Sequence, residues 1–300
     1  MRALLTSAYG NAYVVLTLCA MSWGGNAVAG RLAVGEVSPM LLTLLRWAGV
    51  VLLVAMFARQ AVASQWPVLR RHLPYLAGMG ALGFTLFNVL YYVAAHRTSG
   101  INLGVLQGSV PVLVLLGGSF FHGTPIRTVQ VAGVAVTLAG VMVVTSRGDL
   151  AGLMALEFNA GDLLMLVACA VYAAYTVALQ RRPDVPGMAM FGVMAAAAAL
   201  ASLPFATWEW MSGHAQGPAS VTGWAVVAFV IVFPSFLAQL MFMRGVQLIG
   251  PSRAGVFINL VPVFAASFSV TMLGEHFAAY HAVALALVLG GIALAERGRR

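Results

Sequence analysis

A nine-residue stretch of this chain returns, in altered form, 151 positions later. Gly104-Val105-Leu106-Gln107-Gly108-Ser109-Val110-Pro111-Val112 is matched by Gly255-Val256-Phe257-Ile258-Asn259-Leu260-Val261-Pro262-Val263. The same offset pairs Asn88 with Gln239 and Leu138-Ala139-Gly140 with Leu289-Gly290-Gly291. Each copy holds five long apolar segments. A chain reverses direction at every crossing of a bilayer, so an odd number of crossings per copy sets the second copy upside down relative to the first. Inverted repeats of this kind are the architecture of carriers, whose substrate sites lie near the membrane midplane at the repeat interface.

Composition puts the chain in a membrane. Of its 300 residues 61% are hydrophobic and 8% are charged, too few charges to cover a soluble protein of this length. The apolar blocks are about 20 residues long, enough to cross some 30 Å of hydrocarbon as helices. The expected fold class is therefore an all-α integral membrane protein, with ten transmembrane helices in two inverted five-helix repeats over residues 1–147 and 148–300. The spans read as 11–30, 38–58, 74–95, 100–121, 127–146, 162–181, 187–206, 222–246, 252–273 and 277–295. Asp162 stands where the sixth would take its N-cap. The first apolar block is long enough to span and continues into the repeat, so no cleavable leader is expected.

The net charge of +8 raises the question of nucleic acid, and its placement answers it. There is no Lys, and the 16 Arg gather at segment ends. With both termini cytoplasmic, Arg2, Arg59, Arg70, Arg71, Arg127, Arg181, Arg182, Arg244, Arg253, Arg297, Arg299 and Arg300 fall inside, whereas Arg31, Arg97 and Arg147 fall outside. That bias sets topology; it is no nucleic-acid stripe. Glu36, Asp149, Glu157, Glu209 and Glu275 fall on the outer side, and Trp66, Trp208, Trp210 and Trp224 near the interfaces. The expected location is the bacterial inner membrane, with the bilayer and a small-molecule substrate as partners and a monomer sufficient for the repeat.

Uncharged polar and aromatic groups inside the spans are the candidate substrate-binding residues. Asn88, Tyr91 and Tyr92 share one face of the third helix, and Gln239 repeats the amide in the eighth. Trp23 and Asn26 on the first helix match Tyr172 and Tyr175 on the sixth. Pro111 and Pro262 sit at mid-membrane depth in the fourth and ninth helices. A proline there frees a backbone carbonyl, tolerated where it lines a cavity; they are the expected hinges, with Gln107, Phe257 and Asn259 beside them. The Gly100, Gly104 and Gly108 stripe is expected to serve close helix packing. Arg46 is the one Arg well inside a span, expected to snorkel outward or pair with a neighbour, with a substrate or counter-ion role as the alternative. Cys19 and Cys169 read as small core residues, not as metal ligands or a disulfide.

No Asp or Glu lies in the middle third of any span, and neither a Walker loop, an HExxH pair, a dinucleotide fingerprint nor a Ser-His-Asp set is present. Nothing in the residues calls for a cofactor, a metal or catalysis. A passive pore would want rings of repeated polar groups, and a lipid-modifying enzyme would want clustered acids or histidines near an interface.

Trp23-Gly24-Gly25-Asn26, Leu45-Arg46-Trp47, the proline-bearing fourth and ninth helices and Leu273-Gly274-Glu275 together resemble the EamA-type drug/metabolite transporters over residues 11 to 295. The resemblance implies ten helices in two inverted halves and a central cavity lined mostly by the first, third, fourth, sixth, eighth and ninth. It also implies export or exchange of small metabolites by alternating access. Within that family the chain looks most like the YddG-like exporters of aromatic and other neutral amino acids; nucleosides and quaternary compounds are the alternative cargo.

Overall fold

The computed structural model describes residues 9–123, 125–149 and 159–297. Arg2, Glu157, Arg299, Arg300 and the side chain of Arg253 lie outside the described residues. Among them ten helices are long and apolar enough to cross a membrane: α1 (Ala12–Leu32), α2 (Pro39–Phe57), α3 (Arg59–Ala95), α4 (Gly100–Phe121), α5 (Thr128–Thr145), α6 (Ala160–Arg181), α7 (Gly187–Met211), α8 (Val221–Ile249), α9 (Ala254–Leu273) and α10 (Ala279–Arg297). Ten is even, so α1 begins and α10 ends on one face, here the terminal face. The turns into α2, α4, α6, α8 and α10 lie on the opposite face.

Most spans match the hydropathy reading to within a few residues. The exception is α3, which starts at Arg59 rather than 74. Its first stretch, Arg59–Leu69, is largely exposed. Arg, Gln, Ala and Leu favour a helix whether or not it is apolar enough to span, so hydropathy alone passes over it. The α7 helix likewise runs on to Met211, placing Glu209 on a helix instead of in a loop. Asp162 is not a cap. Asn159 takes that role, accepting from the Gly161 amide at 2.7 Å, and Asp162 lies fully buried in the first turn.

The duplication extends to irregularities of the backbone. A π-helical stretch occupies Gly80–Leu86 in α3 and Ile231–Leu237 in α8, the same 151-residue offset. The α4 helix breaks after Gln107 and resumes at Val110; α9 passes through a 3₁₀ turn at Phe257–Leu260 and resumes at Val261. Each second segment ends on a left-handed glycine, Gly123 (φ 64°) and Gly274 (φ 66°). Pro111 and Pro262 therefore do not kink a continuous helix. They are second residues of new helical segments, where the missing N–H would be an orphan in any case.

Packing follows the same exchange of halves. The α1 helix packs on α8 and α9 as α6 packs on α3 and α4, while α2 meets α7, α4 meets α9 and α5 meets α10. Small residues set the closest approaches. A Cβ on Gly104 would fall 2.3 Å from the Cβ of Ala265, and one on Gly100 2.3 Å from Ser269 Oγ. The glycine stripe of α4 is a packing surface against α9. Between α5 and α10, a Cβ on Gly291 would lie 2.6 Å from the Gly133 carbonyl oxygen. Large apolar side chains such as Leu52, Phe57, Phe120, Leu200 and Met272 remain exposed, as a lipid-facing surface requires. Trp66, Trp208, Trp210 and Trp224 are exposed as well, in keeping with interfacial anchors.

Gly291→Ala should lower the unfolding temperature in detergent, because backbone faces the added methyl and overpacking costs about 1–3 kcal/mol. Gly290→Ala, whose Cβ would meet nothing within 4 Å, should leave it unchanged.

Candidate substrate site

Arg46 is close to the middle of α2 and is buried. Its Nη1 donates to Asn26 Oδ1 of α1 at 3.0 Å and to the Tyr92 hydroxyl of α3 at 2.6 Å. The Tyr92 hydroxyl in turn donates to Asn26 Oδ1 at 3.1 Å. The guanidinium also faces the rings of Trp47 and Tyr92, at 5.4 and 6.0 Å from their centroids. Arg46 thus turns inward and does not snorkel. Each hydrogen-bond partner is neutral, and among the described residues no carboxylate pairs with it. A buried cation held by dipoles alone is expensive unless an anion joins it.

Three buried polar atoms in this neighbourhood lack a hydrogen-bond partner among the described residues: Arg46 Nε, Asn88 Oδ1 and the Tyr91 hydroxyl. Tyr91 lies close to the Asn26 amide without completing a bond. Asn88 spends its Nδ2 on the Phe84 carbonyl, which also accepts from Trp47 Nε1 at 3.2 Å. That carbonyl belongs to the π-helical stretch of α3, where the backbone register is open to side-chain donors. Pro234, in the matching stretch of α8, accepts from Trp23 Nε1 at 3.0 Å. Trp23 therefore ties α1 to α8 inside the bundle and is not an interface anchor.

A continuous aromatic chain surrounds these groups. Trp47 stacks on Phe84 at 4.4 Å, Phe84 touches Tyr175 at 5.8 Å, and Tyr175 touches Tyr172 at 5.4 Å. From Tyr172 it passes to Phe87 at 5.0 Å, to Tyr91 at 5.7 Å and to Tyr92 at 5.6 Å. Asn26, Asn88, Tyr91, Tyr92, Tyr172 and Tyr175 are brought together in this way. Trp23 joins the bundle interior through α8 and meets the Phe242 ring at 5.6 Å and a 47° tilt.

Other residues singled out in the sequence lie apart from this cluster. Phe257 packs on Tyr13 at 5.8 Å, and Asn259 Nδ2 donates to Glu296 Oε1 at 3.5 Å. Both contacts are with residues near the terminal-face ends of α1 and α10. Gln107 and Gln239 are half-buried and make no side-chain hydrogen bond among the described residues. Trp47, Phe84 and Phe87 are cluster members that sequence reasoning did not select, and Arg46 entered it only as the alternative to a snorkelling or paired charge. The signal for Arg46 lies in its position, since a charge near mid-span is a functional residue by default.

On the opposite face, acids of the two halves lock across one another. Glu209 of α7 accepts from Ser38 Oγ at 2.6 Å and from the amides of Met40 and Leu41 at 3.2 and 2.9 Å, capping α2. Glu275 caps α4 through the amides of Gly100 and Ile101 at 2.8 and 3.0 Å, and it pairs with Arg31 at 3.8 Å. Glu36 accepts from Ser220, whose hydroxyl caps α8. Carboxylates at helix N-termini satisfy orphan amides and complement the helix dipole.

Tyr92→Phe should cost about 1–3 kcal/mol of stability, since it removes a hydroxyl that Arg46 and Asn26 both use. Tyr91→Phe removes a hydroxyl with no partner and should be neutral or slightly stabilising. Thermal unfolding of both variants, without substrate, checks the pair.

Comparison with known proteins places this geometry in a family. The EamA-like transporter family matches residues 10–146 and again 159–296. The transporter YetK of Bacillus subtilis is 27% identical over 287 residues, covering 94% of this chain and 85% of that one. The aromatic amino acid exporter YddG of Ancylobacter novellus is also 27% identical, covering 91% and 92% respectively. The inner membrane transporter YedA of Escherichia coli is 25% identical over 92% of this chain and 88% of its own. A solved crystal structure, 24% identical, superposes with a TM-score of 0.65 over 96% of this chain and 99% of the other, and shares the fold. With both halves matched in turn, this ten-helix membrane protein belongs to the EamA-like transporter family.

Proposed function

We propose that this transporter is a secondary carrier of small zwitterionic amino acids, aromatic ones among them, working by alternating access in a bacterial inner membrane with both termini cytoplasmic. The observation that carries the reading is Arg46: a mid-span cation with only neutral partners, beside unpartnered acceptors on Asn88 and Tyr91. A substrate carboxylate supplies the missing anion, and an ammonium supplies the missing donor. The Trp47–Phe84–Tyr175–Tyr172–Phe87 chain offers ring faces to an aromatic side chain. The amino-acid export named for YddG of Ancylobacter novellus supports the same cargo.

Alternating access needs two states of similar energy. The units 1–147 and 148–300 are the bodies that rock, with the broken helices at Pro111 and Pro262 as hinges. Trp23, Asn26, Asn88, Tyr91, Tyr92, Tyr172 and Tyr175 form the central site. Gln107, Gln239, Phe257 and Asn259 line the route toward the terminal face.

Uptake into proteoliposomes, with labelled phenylalanine, tyrosine, leucine and a nucleoside, tests the reading. Phenylalanine should move and be competed by tyrosine but not by phenethylamine, which lacks the carboxylate. Arg46→Gln should raise the half-saturating phenylalanine concentration at least tenfold, because removing one partner of a buried charge pair costs about 2–5 kcal/mol. Equal competition by phenethylamine would sink the carboxylate role; nucleoside movement alone would replace the amino-acid cargo.

A further inference from the structure

Arg46 has an acidic counterpart in isolation elsewhere in the bundle. Asp162, in the first turn of α6, is fully buried. Its carboxylate accepts from Thr98 Oγ1 and from Asn102 Nδ2, the latter 3.2 Å from each oxygen. Both donors are neutral and belong to the first half, Thr98 in the α3–α4 turn and Asn102 in α4, so these bonds tie α6 to α4 and its leading turn across the halves. Among the described residues no Arg or His nitrogen pairs with the carboxylate.

The Oδ1 of Asn102 is buried beside this carboxylate with no hydrogen-bond partner. An amide carries donor and acceptor on one rotor, and a hydroxyl can act as either. With Asp162 ionised, Asn102 donates through Nδ2. With Asp162 protonated, a half-turn of the amide lets Oδ1 accept the acid proton. Thr98 can keep its bond in either state. Asp162 therefore keeps both neutral partners in either protonation state, and Asn102 Oδ1 gains a partner only when the acid is protonated.

Two members of the trio border a cavity, and Asp162 lies behind them. A cavity of about 500 Å³ on the opposite face is lined by Thr98 and Asn102. Its other titratable walls are Arg31 in the last turn of α1, His96 and Arg97 in the α3–α4 turn, Arg147 at the end of α5, and Glu275, His276, Tyr280 and His281 around the start of α10. Arg147 and Tyr280 act electrostatically on Asp162, and the Arg97 backbone packs against Gly161. The arrangement is one-sided: the 149-residue offset that relates the first and sixth helices places Tyr13 opposite Asp162, and the 151-residue offset places Arg253 opposite Asn102.

We propose that Asp162, Asn102 and Thr98 form a proton-binding site that couples the opposite-face closure to proton movement. A proton from cavity water binds a carboxylate oxygen, and no other covalent bond changes. Charge-assisted hydrogen bonds are roughly twice as strong as neutral ones, so protonation loosens the α4–α6 tie and deprotonation tightens it. The coupling, though not the binding, rests on the carrier reading above.

Infrared difference spectroscopy of the detergent-purified protein during a pH titration tests the binding without any substrate. A buried carboxylic-acid band should appear as pH falls, vanish in Asp162→Asn and persist in Glu275→Gln. No titrating band, or one that survives Asp162→Asn, overturns the site. In proteoliposomes with labelled phenylalanine, Asp162→Asn should keep counterflow while pH-driven accumulation falls at least tenfold. Accumulation in the variant equal to wild type, or drive by a sodium gradient without pH dependence, overturns the coupling. If wild type moves no amino acid, the cargo reading fails, and the infrared titration still decides the proton site.

Discussion

Helix N-termini meet on the face opposite the chain ends, and their first amides have no acceptor within their own helices. Hydrocarbon offers none, so the acceptors must come from the protein. Here they come largely from the other half of the molecule. Glu209 of α7 caps α2, Glu275 beside α10 caps α4, and Glu36 holds the serine that caps α8. Each bond satisfies a backbone need and joins the halves at once. The rest of the bundle is arranged around that closed end. The opening motion of a carrier would have to break these links, so the caps also set the energy of its cycle.

At mid-membrane the logic is reversed. Arg46 has been taken out of water and given partial partners only: an amide, a phenol and two ring faces. The π-helical stretches of α3 and α8 contribute by presenting the carbonyls of Phe84 and Pro234 to side-chain donors. Incomplete satisfaction in a packed interior needs a physical cause, and the proposed substrate would supply it. The helix caps of the closed end are satisfied, whereas the centre holds Arg46 Nε, Asn88 Oδ1 and the Tyr91 hydroxyl without partners among the described residues.

Much of the fold was legible because its causes are local or periodic. Apolar length gave nine of the ten spans closely, and parity with the 151-residue offset gave the inversion. The polar opening of α3 escaped because hydropathy measures spanning, not helicity. Prolines 111 and 262 were read as kinks, yet the chain breaks before each and restarts, so the proline rings displace no carbonyl of a continuous helix. Spacing on one helical face groups Asn88, Tyr91 and Tyr92, and the structure buries all three. Phe257 and Asn259, candidates from the stretch beside Pro262, lie apart from that group: Phe257 packs on Tyr13 and Asn259 reaches Glu296.

By itself the sequence determined a membrane solvent, a helix count and an internal duplication, because these depend on residue type and order along one chain. It also put every acid it assigned to a face on one side of the membrane. What each acid does was decided only by the tertiary structure. Glu209 lies 171 positions from Ser38 and Glu275 lies 175 from Gly100, distances over which no sequence pattern specifies a partner. The same holds for Arg46, 20 positions from Asn26 and 46 from Tyr92. Whether a buried charge snorkels, pairs or waits for a ligand depends on what three separate helices place around it.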